Sequence, residues 1–343
     1  MTEFKGYRNG VNLGGWLSQC DYDKDHIAGF ITEEDIVRIK SWGCDHVRLP
    51  FDYNIILDEG GNVLESGMEL LSRCVEWCRC HDLNIILDLH KTMGFSFDKG
   101  ENESGFFHDA RYQDIFVNLW GSIAQRFAQY TDSVAFELLN EITERSYAEI
   151  WNRIAARAVA EIRKYADNYI LIGGIFQNSI FGLTLLDKPC ADRVVFNFHY
   201  YDPLVFTHQK AGWIDAMSRD CSISYPGSTE EYHTKTLANV GSDLAQTFER
   251  YPHDVVDKRF IELAFHPADD VRRKMDVPVY CGEYGVIDQA PAEDMLRWYD
   301  DINEVFDSFG FGRAAWNYKA KDFGIIDECR ADILPEIVKH FNR

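Results

Sequence analysis

The chain has 343 residues, 46% of them apolar, and its 35 basic against 56 acidic side chains give a formal charge of -21. That size and mixture suit a soluble globular protein with a substantial core, either one large α/β barrel or two ordinary domains. The summed negative field argues against nucleic acid and anionic membrane surfaces as partners and leaves neutral or cationic substrates open. No window approaches the roughly 18 uncharged apolar residues of a membrane span. Met1 to Gly10 also lacks the basic and apolar regions of a secretory leader, so a cytoplasmic protein is expected, or a secreted one if a leader was removed.

In chain order, the first apolar run, Asn9 to Gly14, reads as a buried strand, and Thr32 with Asp35 then caps a helix. Strands follow at Asp45 to Pro50 and Asn84 to His90, separated by a helix over Met68 to His81 in which apolar residues recur every three or four positions. The alternation continues with a helix over Tyr112 to Tyr130, a strand over Ala135 to Glu141 and a helix over Tyr147 to Tyr165. Two more strands come next, Tyr169 to Gly173 and Val194 to Tyr200. From Asp202 the chain then runs to the sixth helix, expected near Asp269 to Met275, a span far beyond an ordinary βα loop. The last strands are Val277 to Glu283 and Arg313 to Tyr318, and Pro291 with Glu293 and Asp294 opens the helix Ala292 to Phe309 between them. Eight strands alternating with helices predict an α/β fold, a (β/α)8 TIM barrel with a largely helical insertion between strand 6 and helix 6. No linker or repeat divides the chain, so one barrel domain over 1–343 is expected, with 202–265 as an inserted subdomain over the face where strands end.

Nine cysteines are spread over elements that read as helix and strand, which fits reduced thiols better than a disulfide framework. Cys74, Cys78 and Cys80 lack a second ligand pair at finger spacing, so no metal is expected there.

Two runs end in a glutamate, Phe136-Glu137-Leu138-Leu139-Asn140-Glu141 and Tyr280-Cys281-Gly282-Glu283. A carboxylate at the C-terminal end of a barrel strand stands where such barrels build their sites, and cleaving a glycosidic bond takes two carboxyl groups on one cleft. Glu141 and Glu283 are the candidates. Arg48, His90, Asn140, His199, Tyr201 and Trp316 also stand at or beside strand ends. Arg48 can hold a carboxylate ionised, Asn140 can reach a sugar 2-hydroxyl, and Trp316 offers a flat apolar face to a pyranose ring.

Arg48 in His-Val-Arg-Leu-Pro, His90 in Leu-Asp-Leu-His, Asn140-Glu141, His199-Tyr200-Tyr201, Glu283 in Cys-Gly-Glu-Tyr-Gly and Trp316 in Ala-Trp-Asn-Tyr resemble the pattern of glycoside hydrolase family 5, in order and over nearly the whole chain. Gly10-Val11-Asn12-Leu13-Gly14-Gly15-Trp16 and Phe206-Thr207-His208-Gln209-Lys210 are similar to the clostridial endoglucanase C type within it. The resemblance implies Glu141 as acid/base and Glu283 as nucleophile of a retaining double displacement. The other six residues become the shell around the cleaved sugar, with no cofactor and no metal in the chemistry. The chain departs from the pattern at Lys91-Thr92-Met93-Gly94-Phe95-Ser96-Phe97 and at Ile142-Thr143-Glu144-Arg145, both beside the cleft. Lys91 is either a solvated rim residue or a donor to sugar hydroxyls.

The expected activity is an endo-β-1,4-glucanase acting on β-glucans or their oligosaccharides, in a groove lined by Trp16, Tyr201, Phe206 and Trp213. An exo-acting β-glucosidase on imported oligosaccharides is the alternative. An inactive carbohydrate-binding barrel and a metal-dependent hydrolase are further ones. A monomer is expected, with a β-linked glucan as its partner.

Overall fold

Eight parallel strands close into a barrel in which each strand pairs with its sequence neighbours and the last returns to the first: β1 Asn9–Asn12, β2 His46–Asp52, β3 Asn84–Lys91, β4 Val134–Glu137, β5 Ile170–Gly173, β6 Val194–Tyr200, β7 Val279–Tyr284 and β8 Gly312–Ala315. The structure is a computed structural model and describes residues 3–98, 101 and 104–342. Met1, Thr2 and Arg343, at the ends of the expected barrel domain, lie outside the described residues.

Helices α1 Glu33–Ser41, α2 Glu65–Cys80, α3 Ala110–Phe127, α4 Ala148–Ile162, α5 Ile180–Leu183, α6 Lys258–Met275, α7 Ala292–Phe309 and α8 Leu334–Val338 surround it. Local chemistry sets their ends. Thr32 and Asp35 form the capping box of α1, with the Thr32 amide donating to Asp35 Oδ2 at 2.9 Å. Acidic Glu293 and Asp294 occupy the first turn of α7, and Gly310 ends it in a left-handed conformation that glycine adopts without strain. Among the described residues no helix is long and apolar enough to cross a membrane.

Between β6 and α6 the chain carries three helices, Leu204–Thr207, Thr229–Asn239 and Ser242–Arg250, and a short antiparallel pairing of Gly227–Ser228 with Val255–Val256. Tyr225 anchors this segment to the barrel, its hydroxyl donating to Asp301 on α7 at 2.8 Å. Helix α6 opens at Lys258, well before the expected Asp269. Pro267 lies inside it and reads in sequence as a helix breaker. A proline removes one backbone bond, whereas the stripe of Phe260, Ile261, Phe265, Ala268 and Val271 buries both halves of α6 against the barrel.

Inside the barrel, period-two alternation sorts the inward side chains into layers. Ile86, Ala135, Leu171, Val195, Tyr280 and Ala314 make an apolar floor. Two residues further along their strands stand Asp88, Glu137 and Asn197, fully buried and polar. His90 and His199 follow after another two. The polar layer lies at the C-terminal end of the barrel.

Candidate active site

Arg48 organises this layer. Its guanidinium grips Glu137 with Nε on Oε2 at 2.7 Å and Nη2 on Oε1 at 2.8 Å, a forked pair that lysine could not make. Nη1 also donates to Asn12 Oδ1 at 2.9 Å and to Glu283 Oε1 at 2.8 Å, while Nη2 donates to Asn140 Oδ1 at 2.8 Å. Asp88 Oδ2 lies 3.0 Å from Nη2. One buried cation thus faces three carboxylates and cannot neutralise them all; burial pushes the Asp88 carboxyl up to about 7, and Arg48 only partly offsets it.

Glu283 is aimed by an irregularity in β7. The register with β6 shifts between Phe198 and His199, so that His199 pairs with Glu283 and Gly282 is passed over. Gly282 leaves room for Asn197: a Cβ there would lie 2.7 Å from the Asn197 amide, whose Oδ1 accepts from the Gly282 N–H at 2.8 Å. The free oxygen of Glu283 accepts from Tyr201 Oη at 2.9 Å.

Regular pairing of β4 ends at Glu137, earlier than expected, and Leu138 and Asn140 then hydrogen-bond to β5 and β3 through the Leu171 and Leu89 carbonyls. Glu141 follows at φ 35, in the left-handed region that a non-glycine residue seldom enters and that is associated with functional sites. Its Oε1 lies 2.8 Å from His199 Nδ1, which is 3.6 Å from Glu283 Oε2. Glu141, His199 and Glu283 each place a ligand atom within 4.8 Å of the others, and among the described residues they are the one group of His, Cys, Asp or Glu side chains close enough to share a metal ion. That spacing also matches the separation of about 5 to 5.5 Å in retaining glycosidases, well short of the roughly 6.5 to 9.5 Å of inverting ones.

The two glutamates differ electrostatically. Burial raises Glu141 to about 8, and Arg48 only partly offsets it. Burial also raises Glu283, but His199, Arg48 and the Tyr201 hydroxyl pull it back to about 6. Between those values Glu141 carries a proton and Glu283 does not, the division of labour that acid and nucleophile require. Burial drives His199 down to about 4 and His90 to about 3, so both rings are neutral near pH 7.

Arg48, Asn140, Tyr201 and Glu283 are therefore joined by hydrogen bonds, and the hydrogen-bonded pair of Glu141 and His199 stands beside them, with His199 Nδ1 3.6 Å from Glu283 Oε2. His90 joins through Asp88, with Nδ1 2.5 Å from Oδ2, and its ring lies parallel to that of Trp316 at 5.8 Å. Gly14 makes space for Trp316, since a Cβ there would come within 2.5 Å of Cη2.

Two expected groove residues are corrected. Trp16 is fully buried, its Nε1 donating to the Ile27 carbonyl at 2.8 Å and its ring stacked on Trp77, so it belongs to the core under the β1 loop. Phe206 is also fully buried and packs on Tyr225 at the root of the insertion. Trp213 is 49% exposed and connects to Tyr201 through His208. Lys91 is not a solvated rim residue. It is 3% exposed, with Nζ 2.6 Å from Asp98 and 2.7 Å from Glu101.

Asn12, Asp88, Glu137, Asn178 and Asn197 were missed as site residues. For Asp88 and Asn197 the signal was a polar residue two positions before a strand-end histidine, and for Glu137 a carboxylate inside an otherwise apolar run.

Residues 7–322 match the family model described as Cellulase (glycosyl hydrolase family 5). Among curated relatives, Cellodextrinase A of Ruminococcus flavefaciens is 42% identical over 314 residues, covering 91% of this chain and 86% of that protein. Endoglucanase C of Acetivibrio thermocellus is 37% identical over 343 residues, covering 98% of each. Thermotoga maritima Cel5A, solved with cellobiose, superposes with a TM-score of 0.78 at 20% identity, over 99% of this chain and 100% of that one, a likeness of fold.

Proposed function

The chain belongs to glycoside hydrolase family 5, the cellulase family, and from that premise we propose that it is an endo-β-1,4-glucanase, with Glu141 as acid/base and Glu283 as nucleophile. The observation that carries the assignment is the pair itself, two strand-end carboxyl groups within 4.8 Å whose environments push them to about 8 and about 6.

The reaction follows from the geometry. Glu283, held by Arg48 and Tyr201, attacks the anomeric carbon while Glu141 gives its proton to the departing glycosidic oxygen. A covalent glycosyl-enzyme forms. Glu141, now ionised, takes a proton from water, the resulting hydroxide displaces Glu283 from the sugar, and the starting protonation returns. Asn140 Nδ2 is buried without a partner among the described residues, a donor that suits the sugar 2-hydroxyl. Trp316, paired with His90, provides the apolar floor of the same subsite.

Relatives named for cellodextrins and for endoglucanase activity support β-1,4-linked glucose chains, short oligosaccharides among them. Nine free cysteines support a reducing compartment, where such oligosaccharides would be met. We read the inserted segment from 202 onwards as one wall of the cleft, on the support of half-exposed Trp213 next to His208 and Tyr201. The deciding experiment is a panel of β-1,3, β-1,4, mixed-linkage and mannan substrates with products resolved by size. Mixed short oligosaccharides from β-1,4 glucan are expected, and release of terminal glucose alone would overturn endo action.

A further inference from the structure

The loop after β5 holds three consecutive non-glycine residues in the left-handed region, Phe176 at φ 61, Gln177 at φ 55 and Asn178 at φ 50. Such a run costs conformational energy and persists only where surrounding structure over-determines it. Two contacts do so here. The Gln177 N–H donates to the Ile142 carbonyl at 2.8 Å, tying the loop to the residue after Glu141. Asn178 is fully buried and sets its Nδ2 3.1 Å from His199 Nε2. Gly173 clears the space, since a Cβ there would lie 2.5 Å from Asn178 Oδ1.

A neutral imidazole carries one proton, and the partner of one ring nitrogen decides which nitrogen holds it. With the amide nitrogen of Asn178 turned to the ring, the arrangement assigns Nε2 as acceptor and the proton to Nδ1, 2.8 Å from Glu141 Oε1. An oxygen that accepts from Nδ1–H is a poor place for the acid's own proton. We propose that Asn178 is a positioning residue: by fixing His199 as the Nδ1–H tautomer, it keeps the proton of Glu141 on Oε2, the oxygen left to face the departing glycosidic oxygen. This rests on the retaining mechanism above.

Asn178→Asp tests it with shape and left-handed tolerance retained. A carboxylate accepts from Nε2–H, so the tautomer inverts, Nδ1 becomes an acceptor, and the Glu141 proton is drawn to Oε1. Asn178→Gly removes the side chain while suiting the backbone and guards against a folding artefact. For both, kcat/KM on cellotetraose is expected to fall at least about tenfold, a fraction of what a general acid contributes. On 2,4-dinitrophenyl β-cellobioside, whose leaving group departs without a proton, it should stay within about threefold. Nitrogen NMR of His199 should show Nε2 unprotonated in the parent enzyme and protonated in Asn178→Asp. Equal losses on both substrates, no loss on either, or a parent enzyme protonated at Nε2 would overturn the proposal. A parent enzyme inactive on both substrates would instead overturn the glucanase assignment.

Discussion

Tyr201→Phe isolates one contribution to the electrostatic split between the two glutamates. The hydroxyl donates to Glu283 Oε2 at 2.9 Å, and a hydrogen bond to a charged group contributes about 1.5 to 3 kcal/mol. Since one pKa unit corresponds to about 1.36 kcal/mol, losing it raises Glu283 by about 1 to 2 units. The direction follows because the donor stabilises the ionised form alone. Glu283 starts near 6, and Arg48 and His199 remain in place, so the lower end of that range applies. At pH 6 the ionised fraction then drops from half to about a tenth, a roughly fivefold loss of kcat/KM that fades as pH rises. Glu141 at about 8 still sets the alkaline limb, so the bell narrows and its maximum moves upward. The ring keeps its contacts with His208 and Phe323, so melting temperature should change by only a few degrees. The assay is kcat/KM on cellotetraose from about pH 4 to about 9, where both limbs report the coupled pair in the free enzyme. An acid limb that stays put or moves down, or a loss uniform across pH, would refute the assignment of Tyr201.

Glu141→Gln should melt above the parent enzyme at pH 9 and level with it at pH 4. A carboxyl raised to about 8 contributes stability below its unfolded value, and that contribution is lost as pH rises through 8. Gly14→Ala places a methyl group 2.5 Å from Trp316 Cη2 and should lower kcat/KM by up to about a hundredfold through displacement of the ring, with the circular dichroism of the barrel unchanged. Lys91→Met leaves Asp98 without its cation, and because Asp98 already raises Glu141, the alkaline limb of kcat/KM should shift up by a fraction of a unit. Dialysis against a chelator should leave the hydrolysis rate unchanged, since every catalytic step above is performed by Glu141 and Glu283; a loss restored by a divalent cation would contradict that.

Strand-helix alternation was legible because a barrel strand is buried on both faces and reads as an apolar run. Residues at strand ends were legible because they interrupt those runs. The network beneath them was not, because it depends on register: Glu137 meets Arg48 only once β2, β3 and β4 are aligned. Trp16 and Phe206 look in sequence like sugar platforms, yet tertiary packing buries both, and composition alone does not tell a core aromatic from a groove one. The role of Asn178 was hidden for a third reason: it needs a left-handed backbone that brings a loop amide onto a histidine of the next strand.

The central claim is that Glu283 is the nucleophile of a retaining reaction. Inactivating the enzyme with 2,4-dinitrophenyl 2-deoxy-2-fluoro-β-cellobioside and sequencing the labelled peptide by mass spectrometry tests it most directly, because the fluorine slows release of the glycosyl-enzyme. The sugar is expected as an ester on Glu283, and an adduct on Glu141 or on any other residue would contradict the account.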